Sequence, residues 1–130
     1  MKGPKVVVIG AGSLFFGRQA IWQMVHSPGL NTGTLGLVDI DPQRVAKMAK
    51  MASMVIADTG VGLKLEASTD AREVLKGADF VVLSFADRSA YFRDIDCQVA
   101  AKYGVRMCSG DTIGPGGIFR TLREFPKILQ

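Results

Sequence analysis

A glycine turn that follows a short β-branched run is the feature that most constrains this chain. The run Lys5–Ile9 ends at Gly10-Ala11-Gly12-Ser13, and a second apolar run, Leu35–Val38, ends at Asp39. In a strand–turn–helix–strand unit, this arrangement directs backbone N–H groups at a pyrophosphate, and the later carboxylate faces a ribose. The sequence therefore predicts an NAD site in which Asp39 disfavours the 2′-phosphate of NADP.

The glycine motif departs from its usual form. The position three residues after Gly12 is Phe15, and Gly17 follows two residues later. Turn glycines also follow ordinary strands, but the strand before and the helix after this turn favour a nucleotide site. We expect the cofactor-binding residues to be Gly10, Gly12, Ser13, Leu14, Phe15, Asp39, Ile40, Ser84 and Phe85.

Two charged residues follow Asp39. Asp41 precedes Pro42 and is expected to cap the next helix. Arg44 is expected to be solvated helix surface, and the alternative is a contact with a 2′-phosphate.

Strand and helix signals alternate along the whole chain, which predicts an α/β fold with a doubly wound parallel (Rossmann) sheet. A complete sheet of this type has about six strands, and this chain offers fewer and ends inside an amphipathic helix. We therefore expect a truncated domain: residues 1–130 bind NAD, and a catalytic, substrate-binding domain follows residue 130. The predicted strands are 5–9, 35–38, 63–67, 80–84 and 105–108, and the predicted helices are 13–26, 42–57, 70–75, 89–103 and 118–129.

Composition excludes several classes of protein. A hydrophobic content of 48% with 22% charged residues is typical of a globular chain, and the scattered basic residues behind the net charge of +4 indicate no nucleic-acid face. The sequence has neither a membrane-spanning run nor a signal peptide, which predicts a cytoplasmic protein with no membrane partner. Cys97 and Cys108 fit neither a disulfide framework nor a zinc site, so we expect buried thiols and no metal ligand in this chain.

A second glycine-rich segment lies between the predicted fifth strand and the last helix. It surrounds Asp111 and continues through Gly114-Pro115-Gly116-Gly117 to Arg120 and Arg123. Asp111 stands at the carboxyl end of a predicted strand, where sites occur in α/β sheets. A structural turn with Asp111 as a cap is the alternative.

With these motifs, the chain resembles glycoside hydrolase family 4, whose members are NAD- and divalent-metal-dependent glycosidases distantly related to lactate and malate dehydrogenases. The resemblance rests on Gly10-Ala11-Gly12-Ser13, on Asp39-Ile40-Asp41 and on the run from Asp111 to Arg123. The family includes α-glucosidase-like members, and Gly110-Asp111-Thr112 looks most like the α-galacturonidase branch.

The resemblance implies a glycosidase of carbohydrate metabolism with unusual chemistry. NAD⁺ takes hydride from C3 of the sugar, a base removes the C2 proton, the aglycone leaves by elimination, water adds, and the hydride returns. A divalent metal, expected to be manganese, acts as a Lewis acid in the whole enzyme.

The resemblance also implies roles for individual residues. Asp111 becomes a polarising or acid/base catalytic residue, and Thr112 a substrate contact. Arg88, which follows the fourth strand, either contacts an anionic sugar or is a surface arginine. The family's metal-binding Cys and His and its base lie beyond residue 130, so this chain by itself is expected to be inactive. The expected partners are a small-molecule glycoside and further copies of the same protein.

Two other functions stay open. A lactate- or malate-type dehydrogenase domain shares the glycine turn, Asp39 and the strand order, although Gly114-Pro115-Gly116-Gly117 argues against it. A nucleotide-binding module without catalytic activity is the other alternative. An Asn-Pro turn followed by Cys-His beyond Gln130 would distinguish the glycosidase from both.

Overall fold

The computed structural model describes residues 3–107 and 114–129 of the 130. The chain divides into two compact units, Met1–Phe85 and Ala86–Gln130. Over the described residues, no helix is long and apolar enough to cross a membrane. The first unit alternates strands and helices in the order β1 (Lys5–Ile9), α1 (Phe16–His26), β2 (Thr34–Val38), α2 (Pro42–Thr59), β3 (Lys64–Ser68), α3 (Ala71–Leu75) and β4 (Phe80–Leu83).

The four strands form one parallel sheet in the order β3-β2-β1-β4. β1 pairs with β2 from Lys5 opposite Thr34, and with β4 from Val6 opposite Phe80. Because the chain runs outward from β1 through β2 to β3 and then returns to the other side of β1, the strand order reverses between β1 and β4. This topology confirms the predicted doubly wound α/β fold.

Alternate residues of β1 contribute to two separate cores. Val8 packs with the buried residues of α1 and α2, among them Ile21 and Met48. Val7 packs on the opposite face with Val74 of α3. Both faces of β1 and β2 are therefore covered, which explains why their sequences are continuous apolar runs rather than alternating ones.

The helix boundaries follow local hydrogen bonding. α1 begins at Phe16, and Ser13 holds the turn before it, because its hydroxyl accepts the Phe16 N–H (3.2 Å) and its carbonyl accepts the Gly17 N–H (2.9 Å). Residues 10–15 are thus left as a turn outside the helix. The predicted cap of α2 is confirmed, since the Asp41 carboxylate accepts the N–H groups of Gln43 and Arg44.

The outer strands of the described sheet are more exposed than its centre. β3 lies at one edge and pairs only with β2 among the described strands. β4 lies at the other edge, and its four apolar residues are between 46% and 61% exposed. β1 and β2 therefore form the protected centre of the unit.

The second unit contains α4 (Ser89–Lys102) and α5 (Pro115–Ile128). The predicted fifth strand is wrong over residues 105–107, because the end of α4 uses the backbone there. Gly104 adopts a left-handed conformation (φ 73°), its N–H donates to Ala101, and the N–H of Val105 donates back to the carbonyl of Ala100. This paired closure is a Schellman motif, so the amide that would start a strand instead finishes the helix.

Candidate functional site

The glycine turn after β1 lies where the strand order reverses. Gly10 has a φ of +88°, a conformation that side chains other than glycine rarely adopt. The N–H groups of Gly10 and Ala11 both donate to the carbonyl of Val38 (2.8 and 2.9 Å), which fixes the turn on the end of β2. A side-chain carbon at Gly10 would clash with the Ser84 carbonyl, so the turn also lies against the end of β4.

The Asp39 carboxylate closes this turn. Its Oδ2 accepts the N–H of Gly12 (2.7 Å), and its Oδ1 accepts the N–H of Asp41 (3.0 Å). A side-chain carbon at Gly12 would stand 2.5 Å from that Oδ2, so only glycine allows this approach. An ionised carboxylate has about four acceptor positions, which leaves capacity for two ribose hydroxyls.

Free donors and exposed apolar side chains surround the closed turn. The N–H groups of Leu14 and Phe15, just ahead of α1, have no hydrogen-bond partner among the described residues. The side chains of Leu14, Phe15 and Ile40 are 81%, 58% and 95% exposed. The amino terminus of α1 carries partial positive charge, so this surface combines anion-binding donors with an apolar platform.

Gly17 performs the packing role that the usual motif gives to its third glycine. A side-chain carbon there would clash with the Ala11 carbonyl and stand 2.9 Å from the Met48 Cε. α1 therefore approaches the turn and α2 closely, with the small residue displaced by two positions from its usual place.

The first unit brings together nine of the predicted site residues. They occupy the carboxyl ends of three neighbouring strands, where ligands bind in open α/β sheets. Ser84 donates its N–H to the Ile9 carbonyl (2.8 Å) and is half-buried, as is Phe85. The nine are Gly10, Gly12, Ser13, Leu14 and Phe15 after β1, Asp39 and Ile40 after β2, and Ser84 and Phe85 after β4.

The other predicted residues have different positions. Asp111, Thr112 and Cys108 lie outside the described residues. Arg88 belongs to the second unit, where it precedes α4 with a φ of +40°, and it is the non-glycine residue of the described chain with a positive φ. Its side chain is 71% exposed and its guanidinium carbon lies 5.8 Å from the centre of the Phe92 ring.

A partly buried ion pair that the sequence did not reveal joins the helices of the second unit. Asp96 accepts two hydrogen bonds from the guanidinium of Arg123 (2.9 and 2.8 Å), and that guanidinium also lies 4.7 Å from the centre of the Phe92 ring. The hydrogen bond to Asp96 raises the pKa of Arg123 above its ordinary value. One feature of the sequence could have indicated this pair: the acidic Asp96 lies four residues after Phe92 and four before Ala100, on the buried face of α4.

The remaining polar features lie away from the glycine turn. A cavity of about 880 Å³ opens at the amino-terminal edge of the sheet. Lys5 lines it and contacts both the Glu66 carboxylate (2.7 Å) and the Lys76 carbonyl (2.9 Å), so its charge already holds the strands together. His26 is exposed and stacks on Trp22. The described part of the chain has no group of three His, Cys, Asp or Glu residues placed to hold a metal.

Comparison with known proteins gives one consistent family. The sequence model for the family 4 glycosyl hydrolases matches residues 5–130. The α-glucosidase of Erwinia rhapontici is 37% identical over 128 residues, which cover 97% of this chain and 28% of that protein. The α-galacturonidase of Thermoanaerobacter italicus is 32% identical over 133 residues, with 100% of this chain and 28% of that protein covered.

Solved structures share the fold of this chain. A crystal structure of 6-phospho-α-glucosidase from gut microorganisms with NAD and glucose-6-phosphate superposes with a TM-score of 0.70 and 25% identity, over 99% of this chain and 29% of that one. A second structure of a 6-phospho-α-glucosidase from gut microorganisms, with NAD and Mn²⁺, has a TM-score of 0.68 and 22% identity, over 98% and 28%. This chain therefore spans under a third of the length of these relatives.

Proposed function

Since the chain belongs to family 4 of the glycosyl hydrolases, we propose that it forms the NAD-binding amino-terminal part of an NAD-dependent glycosidase. The observation that carries this proposal is the closed turn at the strand reversal, in which Asp39 accepts the Gly12 N–H at 2.7 Å. A 6-phospho-α-glucosidase of similar fold was crystallised with NAD. The dehydrogenase alternative has less support, because the matching family and the relatives described above are glycosidases.

The residues around the turn fit the dinucleotide. A pyrophosphate placed over Gly12 would receive the N–H groups of Leu14 and Phe15, because both are without partners among the described residues. Asp39 would accept the hydroxyls of the adenosine ribose, and the exposed side chain of Ile40 would contact adenine. When bound, NAD⁺ supplies the hydride acceptor for oxidation of the sugar. Asp39 would repel a 2′-phosphate, which favours NAD over NADP.

The substrate of the proposed enzyme is a small glycoside. Relatives that act on galacturonides and on 6-phosphosugars support an anionic sugar. Arg88 is our candidate for the anion contact, because its side chain is 71% exposed and its backbone is held in an unfavourable conformation that functional sites often contain. Asp111, as acid/base or polarising group, and Thr112, as a substrate contact, complete the proposal.

In this proposal, the full-length enzyme binds the divalent metal. One related structure contains Mn²⁺, whereas the described residues of this chain do not form a cluster that fits a metal ion. No step of the reaction is therefore assigned to a metal held by these residues. The catalytic, substrate-binding domain after residue 130, the cytoplasmic location and the homo-oligomeric state stay predictions.

Calorimetric titration of the purified chain tests the cofactor site. We expect NAD⁺ to bind at least tenfold more tightly than NADP⁺, and Gly12→Ala to abolish most of the affinity, because the added carbon would press on the Asp39 carboxylate. Gly62→Ala is the matched control, since a carbon there meets no atom within 4 Å. Equal or tighter binding of NADP⁺ by the parent chain would contradict the proposal.

A second measurement tests the glycosidase assignment. The 130-residue chain should release no p-nitrophenol from p-nitrophenyl glycosides in the presence of NAD⁺ and Mn²⁺, whereas a chain of the relatives' full length should do so. Release by the 130-residue chain would contradict the expectation that the metal ligands and base follow residue 130. A full-length chain that binds NAD⁺ without activity on any glycoside would favour the nucleotide-binding module.

A further inference from the structure

Arg44 lies against the same turn as the proposed cofactor residues. It belongs to the first turn of α2, which begins at Pro42. A side-chain carbon added at Gly12 would stand 2.7 Å from the Arg44 Cβ, a distance close to that from the same point to the Asp39 carboxylate. The stem of Arg44 therefore covers one side of the turn, next to the carboxylate proposed to hold the ribose.

The Arg44 guanidinium is held loosely, by the carboxylate of Asp41. Its Nε lies 3.3 Å from Asp41 Oδ2, and 67% of the side chain is exposed. Asp41 is itself fixed, because its N–H donates to Asp39 and its own carboxylate caps α2. Exposed ion pairs of this kind contribute little energy, so the guanidinium can leave Asp41 for a stronger anion at small cost.

We propose that Arg44 is a binding and selectivity residue for the adenosine end of the dinucleotide, an inference that rests on the proposed NAD site. In the parent chain it contacts the ribose and its 5′-phosphate beside Asp39. When Asp39 is removed, the planar guanidinium receives the 2′-phosphate of NADP⁺, whose geometry it matches with paired hydrogen bonds. Preference for NAD⁺ then depends on Asp39 alone, whereas Arg44 favours the binding of NADP⁺.

The experiment separates the two halves of the dinucleotide in the purified 130-residue chain. Titrations with NAD⁺, 5′-AMP and nicotinamide mononucleotide compare the parent chain with Arg44→Ala. We expect NAD⁺ and 5′-AMP to bind about threefold to tenfold more weakly, as for loss of an exposed charged hydrogen bond, and nicotinamide mononucleotide to be unaffected. Lys47→Ala is the control, because it removes the same charge from the next turn of α2, where the side chain is exposed.

The selectivity half uses 2′,5′-ADP as the probe in an Asp39→Ala background. Asp39→Ala should bind 2′,5′-ADP more tightly than the parent does. The Asp39→Ala, Arg44→Ala double variant should bind 2′,5′-ADP about tenfold more weakly than Asp39→Ala does. Equal binding by the single and double variants would overturn the proposal, as would an effect of Lys47→Ala equal to that of Arg44→Ala. Failure of the parent to bind NAD⁺ would overturn the cofactor site itself, whereas normal NAD⁺ binding by Arg44→Ala would overturn only this inference.

Discussion

Replacement of Asp39 by asparagine should destabilise the fold in the absence of any ligand. The parent carboxylate accepts backbone N–H groups at both oxygens, from Gly12 at 2.7 Å and from Asp41 at 3.0 Å. Asparagine has one oxygen and one NH₂ group, so one of the two backbone donors would face another donor at about 3 Å. The asparagine side chain keeps the shape of aspartate, but an NH₂ donor replaces one of the two oxygen acceptors.

The magnitude follows from these two bonds. A hydrogen bond to a charged group contributes about 1.5–3 kcal/mol, and the turn is only partly buried, so we expect the free energy of unfolding to fall by about 2 kcal/mol. Asp39→Ala should cost no more than this, because water can enter the space and accept the Gly12 N–H. The asparagine variant should therefore be at least as unstable as the alanine variant, although it is closer in shape.

Urea unfolding of the ligand-free chain measures the difference. Trp22 is the single tryptophan and lies on α1, directly after the turn, so its fluorescence reports on this region. Asp58→Asn is the control, since Asp58 is exposed on α2 and its substitution should change stability by less than about 0.5 kcal/mol. An Asp39→Asn variant as stable as the parent would refute the idea that the carboxylate closes the turn.

Three further substitutions test the packing in both units by the same urea unfolding measurement. Gly17→Ala should cost about 2 kcal/mol or more, because its added carbon would clash with the Ala11 carbonyl, whereas Gly29→Ala meets no atom within 4 Å and should be neutral. Asp96→Ala should lower the free energy of unfolding by about 2–3 kcal/mol, because the partly buried Arg123 guanidinium would lose its carboxylate partner. Loss of an exposed carboxylate on α4 should leave the free energy of unfolding nearly unchanged. Gly104→Ala should cost about 1 kcal/mol, because the closure of α4 requires a left-handed residue. Parent-like stability in any of these variants would contradict the contact assigned to it.

Sequence patterns predicted the first unit well because its signals are local. β1 was predicted with its exact bounds, and the Asp41 cap and the α2 start at Pro42 followed from one turn of sequence. The parallel, doubly wound sheet also followed, since alternating strands and helices allow few arrangements. The predicted start of α1 at Ser13 is three residues early, because the apolar spacing continues through the turn that precedes the helix, and the helix itself begins at Phe16.

Features that depend on distant residues were not predictable in the same way. The bond from Gly12 to Asp39 joins residues 27 positions apart, and the pair of Asp96 with Arg123 has the same separation. The strand predicted from Val105 is a different case, because a local helix ending decides it: the N–H of Val105 donates to the carbonyl of Ala100, five residues earlier, and closes α4. Gly17 was visible in the sequence, but its contact with Ala11 becomes apparent only when the helix is in place.

The strand order also has a consequence for synthesis on the ribosome. β1 can pair with β2 soon after both have emerged, but the strand that covers its other side, β4, ends 74 residues after β1 does, at Leu83 rather than Ile9. At about 5–20 residues per second, the second edge of β1 stays open for roughly 4–15 seconds. An apolar strand with an open edge is a template for pairing with other chains. During that interval the nascent chain should be a client of chaperones that bind extended apolar segments, with Lys5–Ile9 as the sequence they cover.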